Sequence, residues 1–144
     1  GSAMIQVHRI GERFEVKSLF RRPDYGSIIP NTLLVNGYLY ANINTKKSKD
    51  GLACIDLEGH VQWKTQQSPR LGWGNMIAAD GLIYFVDGAS GKLHLIEPRP
   101  HGFRQLASSK LLDGKEIWAP LALSDGNLVI RDQAQMKCID VATH

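Results

Sequence analysis

Two tryptophans, Trp73 and Trp118, carry the side chains best suited to hold a ligand. Neither sits in a run with strand alternation. Arg70 and Asn75 flank the first, and Lys115 and Glu116 lead into the second. An indole presents a broad apolar face to a sugar, a quinone or a peptide, and one N–H that needs a partner. Neighbouring cations, a carboxylate and an amide supply directional contacts. Arg70, Trp73, Asn75, Lys115, Glu116 and Trp118 are therefore the candidate ligand- or partner-binding set. The competing role for both indoles is packing between layers of the fold.

Other chemistry-bearing residues point elsewhere. His8, His60, His94, His101 and His144 include no pair with the spacing of a zinc site. Asp56, Glu97 and Asp140 each close a short apolar run, Cys54-Ile55, Leu95-Ile96 and Cys138-Ile139. Recurrence at equivalent places argues for a structural task, accepting backbone N–H groups of the turn that follows. No catalytic residue and no metal ligand is assigned.

The elements that position these residues repeat. Leu33-Leu34-Val35-Asn36-Gly37-Tyr38-Leu39-Tyr40 returns as Ile77-Ala78-Ala79-Asp80-Gly81-Leu82-Ile83-Tyr84, and again around Asp125-Gly126. Asn-Gly and Asp-Gly tolerate the positive φ that a two-residue type I′ hairpin demands. The glycines fall at 37, 81 and 126, spacings of 44 and 45 residues. A third strand follows each hairpin (52–57, 93–98, 136–141), and a fourth follows a glycine turn (61–64, 103–106). Residues 4–19 repeat only the third and fourth. The expected fold is all-β, a propeller of four-stranded antiparallel blades, because a period in the forties with recurring turns suits radial repetition. The expected units are 1–22 (the last two strands of a blade), 23–66, 67–112 and 113–144 (a blade without its outer strand). About three blades plus a partial one do not close a ring. The candidate set lies in the segments joining one blade to the next, Pro23–Asn31, Gln66–Asn75 and Asp113–Pro120, which differ between copies while the turns do not. Cys54 and Cys138 take the same place two blades apart, too far for a disulfide, and are expected to be buried free thiols.

Cys54-Ile55-Asp56-Leu57-Glu58-Gly59-His60-Val61-Gln62-Trp63 resembles the blade motif of pyrroloquinoline-quinone-type (PQQ-like) propellers, one residue short before the glycine and without its threonine. Leu71–Met76, Ala79–Tyr84, His101–Phe103 and Trp118–Pro120 resemble the C-terminal blades of bacterial PQQ-like repeat proteins, often labelled alcohol-dehydrogenase-like. The resemblance implies a longer parent chain and a periplasmic or extracellular location. It implies two activities: a non-catalytic scaffold that binds a ligand or partner at the channel mouth, with no cofactor, or a piece of a PQQ- and calcium-dependent alcohol or sugar dehydrogenase. Fold resemblance alone does not choose between them.

An open array leaves apolar faces and a strand edge to cover. The expected partners are the remainder of a longer propeller chain or homo-oligomeric copies that complete the ring. A protein, small-molecule or carbohydrate ligand is expected at the connectors. Net charge is only +3 over 144 residues. The basic residues, Lys46, Lys47 and Lys49 in one segment and Arg21-Arg22 in another, read as solvated loops without the interleaved aromatics of a nucleic-acid surface. No apolar run is long enough for a membrane helix.

Overall fold

A computed structural model describes residues 1–45, 49–66 and 68–142. Lys46, Lys47 and His144 lie outside the described residues. Thirteen strands form four antiparallel sheets, with no helix among the described residues. β1 (Ser2–Ile10) and β2 (Arg13–Arg22) make an N-terminal hairpin. β3 (Leu33–Val35), β4 (Tyr38–Asn42), β5 (Leu52–Ile55) and β6 (Val61–Lys64) form the first sheet, and β7 (Met76–Ala79), β8 (Leu82–Val86), β9 (Lys92–Ile96) and β10 (Gln105–Lys110) the second. β11 (Ala122–Ser124), β12 (Asn127–Arg131) and β13 (Met136–Asp140) form the third. Within each sheet the strands follow chain order, and no sheet closes on itself.

The recurring turns behave as their chemistry requires. Asn36-Gly37, Asp80-Gly81 and Asp125-Gly126 all have positive φ at both residues, 51 and 80°, 50 and 73°, 48 and 74°. They join the registers Val35↔Tyr38, Ala79↔Leu82 and Ser124↔Asn127. β10 begins two residues later than the sequence suggests. Arg104 there uses its carbonyl to accept the Glu97 N–H at 3.0 Å, and an irregularity follows between Gln105 and Ala107.

Side-chain alternation gives every sheet two faces. One register pair points toward the sheet that follows: Tyr40↔Cys54, Tyr84↔Leu95, Val129↔Cys138. The next pair points back: Leu39↔Ile55, Ile83↔Ile96, Leu128↔Ile139. Tyr40, Leu52 and Cys54 of the first sheet pack with Met76, Ile83, Phe85 and Ile96 of the second. Tyr84 and Val86 of the second pack with Leu128 and Ile130 of the third. Ala41, Ala53 and Ile55 gather under Tyr25, on the side nearest the hairpin. Trp63 ties the first junction: its ring lies 6.1 Å from Tyr40 and 5.9 Å from Phe103, and its Nε1 donates to the Arg99 carbonyl at 2.9 Å. The hairpin docks by its base, where Arg22 donates to the Gly59 carbonyl at 2.7 Å and its guanidinium lies 4.2 Å from the Tyr25 ring centre.

Three expectations need correction. Cys138 is a free but exposed thiol, whereas Cys54 is free and buried. Both point forward, but only Cys54 has a following sheet against it. Arg21 and Arg22 belong to β2 rather than to a loop. Glu97 does not use the turn device of Asp56: it pairs with Arg104 across the β9–β10 turn at 3.0 Å. Asp56 does accept the Glu58 and His60 N–H groups at 3.0 and 2.8 Å, and Asp140 accepts that of Ala142 at 2.9 Å.

The ends of the stack stay open within this chain. Val7, Phe14 and Val16 of the hairpin are exposed, Phe14 by 68%, and so is Met136 of β13, by 71%. A thiol reagent is expected to modify Cys138 at once in the native protein and Cys54 only on unfolding, since burial also pushes the Cys54 thiol up. Equal native rates would contradict the stacking. Trp63→Ala should cost about 3 kcal/mol in a urea melt, the lower end for a large aromatic in a core.

Candidate functional site

The turns after strands β4, β8 and β12 lie beside the connectors between sheets, and hydrogen bonds lock the two sets together. Asn42 Nδ2 donates to the Gly72 carbonyl at 2.6 Å, and Asn44 Nδ2 to that of Leu71 at 2.7 Å. Both asparagines are buried, and Asn44 Oδ1 also accepts the Gly51 N–H at 2.9 Å. One junction further on, Ile117 N donates to the Gly88 carbonyl at 3.1 Å, and Leu111 N to that of Gly91 at 3.0 Å. The connectors between the first and second sheets and between the second and third are therefore each held by the turn of the sheet before them. A side chain at Gly88 would collide with the Trp73 carbonyl, so the close approach of turn and connector requires glycine there.

Asp87 and Asp132 start the turns of the second and third sheets, and both are buried. Asp87 Oδ1 accepts the Ala89 N–H at 2.9 Å. Asp132 Oδ1 accepts those of Ala134 and Gln135, both at 2.8 Å, while Oδ2 takes the Gly114 N–H at 3.1 Å and the Gln135 amide at 3.2 Å. The Ala134 and Gln135 backbone N–H groups, in that order, bring the Asp132 carboxyl down to about 2 against the partial opposition of burial.

The six candidate residues meet along this end of the stack. A cavity of about 540 Å³ opens between the first and second sheets, with Arg70 and Trp73 in its wall. A second, of about 330 Å³, is lined by Trp73, Lys115, Glu116 and Trp118. Trp73 thus belongs to both. The indoles of Trp73 and Trp118 stand 6.4 Å apart and inclined at 68°. Asn75 does not line either cavity; its Nδ2 donates to the Trp118 carbonyl and fixes that strip of backbone. Glu116 and Trp118 also border a third hollow of about 310 Å³ beside Asp132. Glu116 holds φ at +57°, a left-handed conformation that a non-glycine residue seldom adopts.

Neither indole is core. Trp73 is half-buried, its Nε1 bonded to the Asn44 carbonyl at 3.2 Å and its ring faced by Lys49 Nζ at 4.7 Å. Trp118 remains 40% exposed.

Sequence reasoning missed Asn44, Lys49, Asp87 and Ser90, which come from the turns rather than the connectors and complete the larger cavity. A signal was present: an aspartate directly follows the last residue of β8 and of β12, at Asp87 and Asp132. Among the described residues no cluster of three His, Cys, Asp or Glu side chains is arranged to hold a metal ion. His60 is paired with Asp56 at 3.0 Å, and His94 Nδ1 is bonded to Gln105 at 2.7 Å. No protein-family model matches the chain, and no curated protein matches it.

The Asp132 carboxyl gives a pH test. Its folded value of about 2 lies below the ordinary 3.8, so its stabilising effect is complete above about pH 4 and fades as pH falls toward 2. Asp132→Asn should lower the melting temperature at pH 6 and flatten its fall between pH 4 and 2. A parallel drop in variant and parent across that window would show that Asp132 plays no part in acid unfolding.

Proposed function

We propose that the sheets are successive blades of a PQQ-like β-propeller, and that the chain is a non-catalytic binding module whose ligand sits in the cavities beside Trp73 and Trp118. The observation that carries the reading is convergence: five of the six candidate side chains line adjoining hollows that share Trp73. The backbone around them is held rigid by buried asparagines and glycine contacts. Binding residues on loops over a stiff scaffold are the usual arrangement of a recognition site.

The propeller reading rests on the repeated forward-to-back stacking and on sheets of four, four and three strands after a two-stranded hairpin. The open faces at Val129–Cys138 and at Val7–Val16 are those that a further blade covers in a closed ring. The remainder of a longer chain, or further copies of this one, supplies it. By the same resemblance the protein works in the periplasm or outside the cell.

Trp fluorescence tests the binding reading, with oligosaccharides, short peptides and PQQ plus calcium as probes. Saturable quenching by a sugar or peptide is expected, lost at least tenfold in Trp73→Ala and Trp118→Ala with unfolding curves little changed. Loss of folding in both variants would reassign the indoles to the core. Quinone retained on the protein, with reduction of a dye by alcohols or sugars, would replace the scaffold reading with the dehydrogenase one.

A further inference from the structure

The larger cavity carries a charge pattern that narrows its ligand. Lys49 and Arg70 both line it, and among the described residues neither belongs to an ion pair. Both are exposed. Two cations without carboxylate partners at one mouth favour an anionic group, and a guanidinium offers it two parallel N–H donors. Farther in, the character changes. Asn44 and Asp87 are buried, 2% and 5% exposed, and Ser90 joins them in the wall. A carboxylate, an amide and a hydroxyl are acceptors and donors for hydroxyl groups. The Asp87 carboxylate would repel a phosphate or carboxylate pushed to that depth. Trp73 provides the apolar wall between the two zones, and the volume of about 540 Å³ is in the range of small-molecule sites.

Resting on the binding reading above, we infer that this cavity takes an acidic sugar: a uronic-acid residue of an oligosaccharide, its carboxylate at the rim against Arg70 and Lys49, its hydroxyls inward toward Asp87, Asn44 and Ser90. A neutral sugar satisfies only the inner zone and leaves both cations in water. A phosphate or sulfate ester set at the rim meets the same cations, but the free anion lacks the hydroxyls that the inner zone takes.

Calorimetric titration of the full chain tests this with a galacturonate trisaccharide, the corresponding neutral galactose trisaccharide and inorganic phosphate. The expected result is galacturonate binding at least tenfold tighter than the neutral sugar, weakening as salt rises from 50 to about 500 mM through screening of the rim cations. Arg70→Ala should lose about tenfold for galacturonate and leave the neutral sugar unchanged, while Arg70→Lys should recover part of the loss. Asp87→Asn should weaken both sugars. Because Asp87 also caps its own turn, Ser90→Ala repeats that test without touching a buried charge. Equal affinity for the two sugars, both lost in Trp73→Ala, would overturn the acidic-sugar assignment and keep the binding module. Phosphate binding as tight as galacturonate would reduce the site to a bare anion site and overturn it as well. Galacturonate binding unaffected by Arg70→Ala would place the sugar elsewhere. No binding of any of the three overturns the assignment, and peptide binding lost in Trp73→Ala then separates that failure from failure of the module reading.

Discussion

Everything in this molecule depends on neighbouring sheets covering one another's apolar faces. Strands of three to six residues bury too little apolar area for one of these sheets to stand alone. The stack resolves this by setting Tyr40 and Cys54 against Ile83 and Ile96, then Tyr84 and Leu95 against Leu128 and Ile139. Burial of each pair in turn fixes register, since a slip of one residue would exchange the forward and backward sets. The stabilisation is therefore collective, and a sheet's contribution is set by its neighbours as much as by its own residues.

The two cysteines show how far such a rule can be read from sequence. They occupy one register position and differ completely in exposure. The strand pattern marks both as inward-facing, but no pattern internal to a strand records whether another sheet lies against it. The hairpin turns were legible for the opposite reason. Asn36-Gly37, Asp80-Gly81 and Asp125-Gly126 carry their conformation in their own φ preferences, independent of packing. Asp56 was legible too, because its partners Glu58 and His60 are its near neighbours in sequence. Glu97 was not, since its carboxylate found Arg104 on the far side of the β9–β10 turn instead of the turn backbone.

The site divides along the same line. The connectors stood out because they differ between repeats, and Arg70, Trp73, Lys115, Glu116 and Trp118 do gather at one end of the stack. Asn44 was invisible as a site residue, and Asp87 showed only as the aspartate that follows β8, because their placement at the cavity is tertiary. Asn44 reaches a carbonyl 27 residues away, and Asp87 lines the cavity only once the first sheet is packed beside the second.

Position and rim chemistry at this end are consequently carried by different residues. Asn42 and Asn44 through their side-chain amides, and Gly88 and Gly91 through their carbonyls, tie turn to connector, so changing them moves the connectors and every side chain mounted there. The side chains of Arg70, Lys49 and Lys115 project from that frame, are exposed, and make none of its hydrogen bonds among the described residues. Their identity can change without disturbing the stack, so ligand preference can be retuned at the rim while the wall at Trp73 and the acceptors beneath it keep their geometry. Trp73 spans both roles, as Asn44 and Asp87 do: its N–H joins the frame through the Asn44 carbonyl while its ring faces two cavities. The indole is thereby fixed in orientation, so under the proposed binding reading little side-chain entropy would remain to be lost when a ligand packs against it.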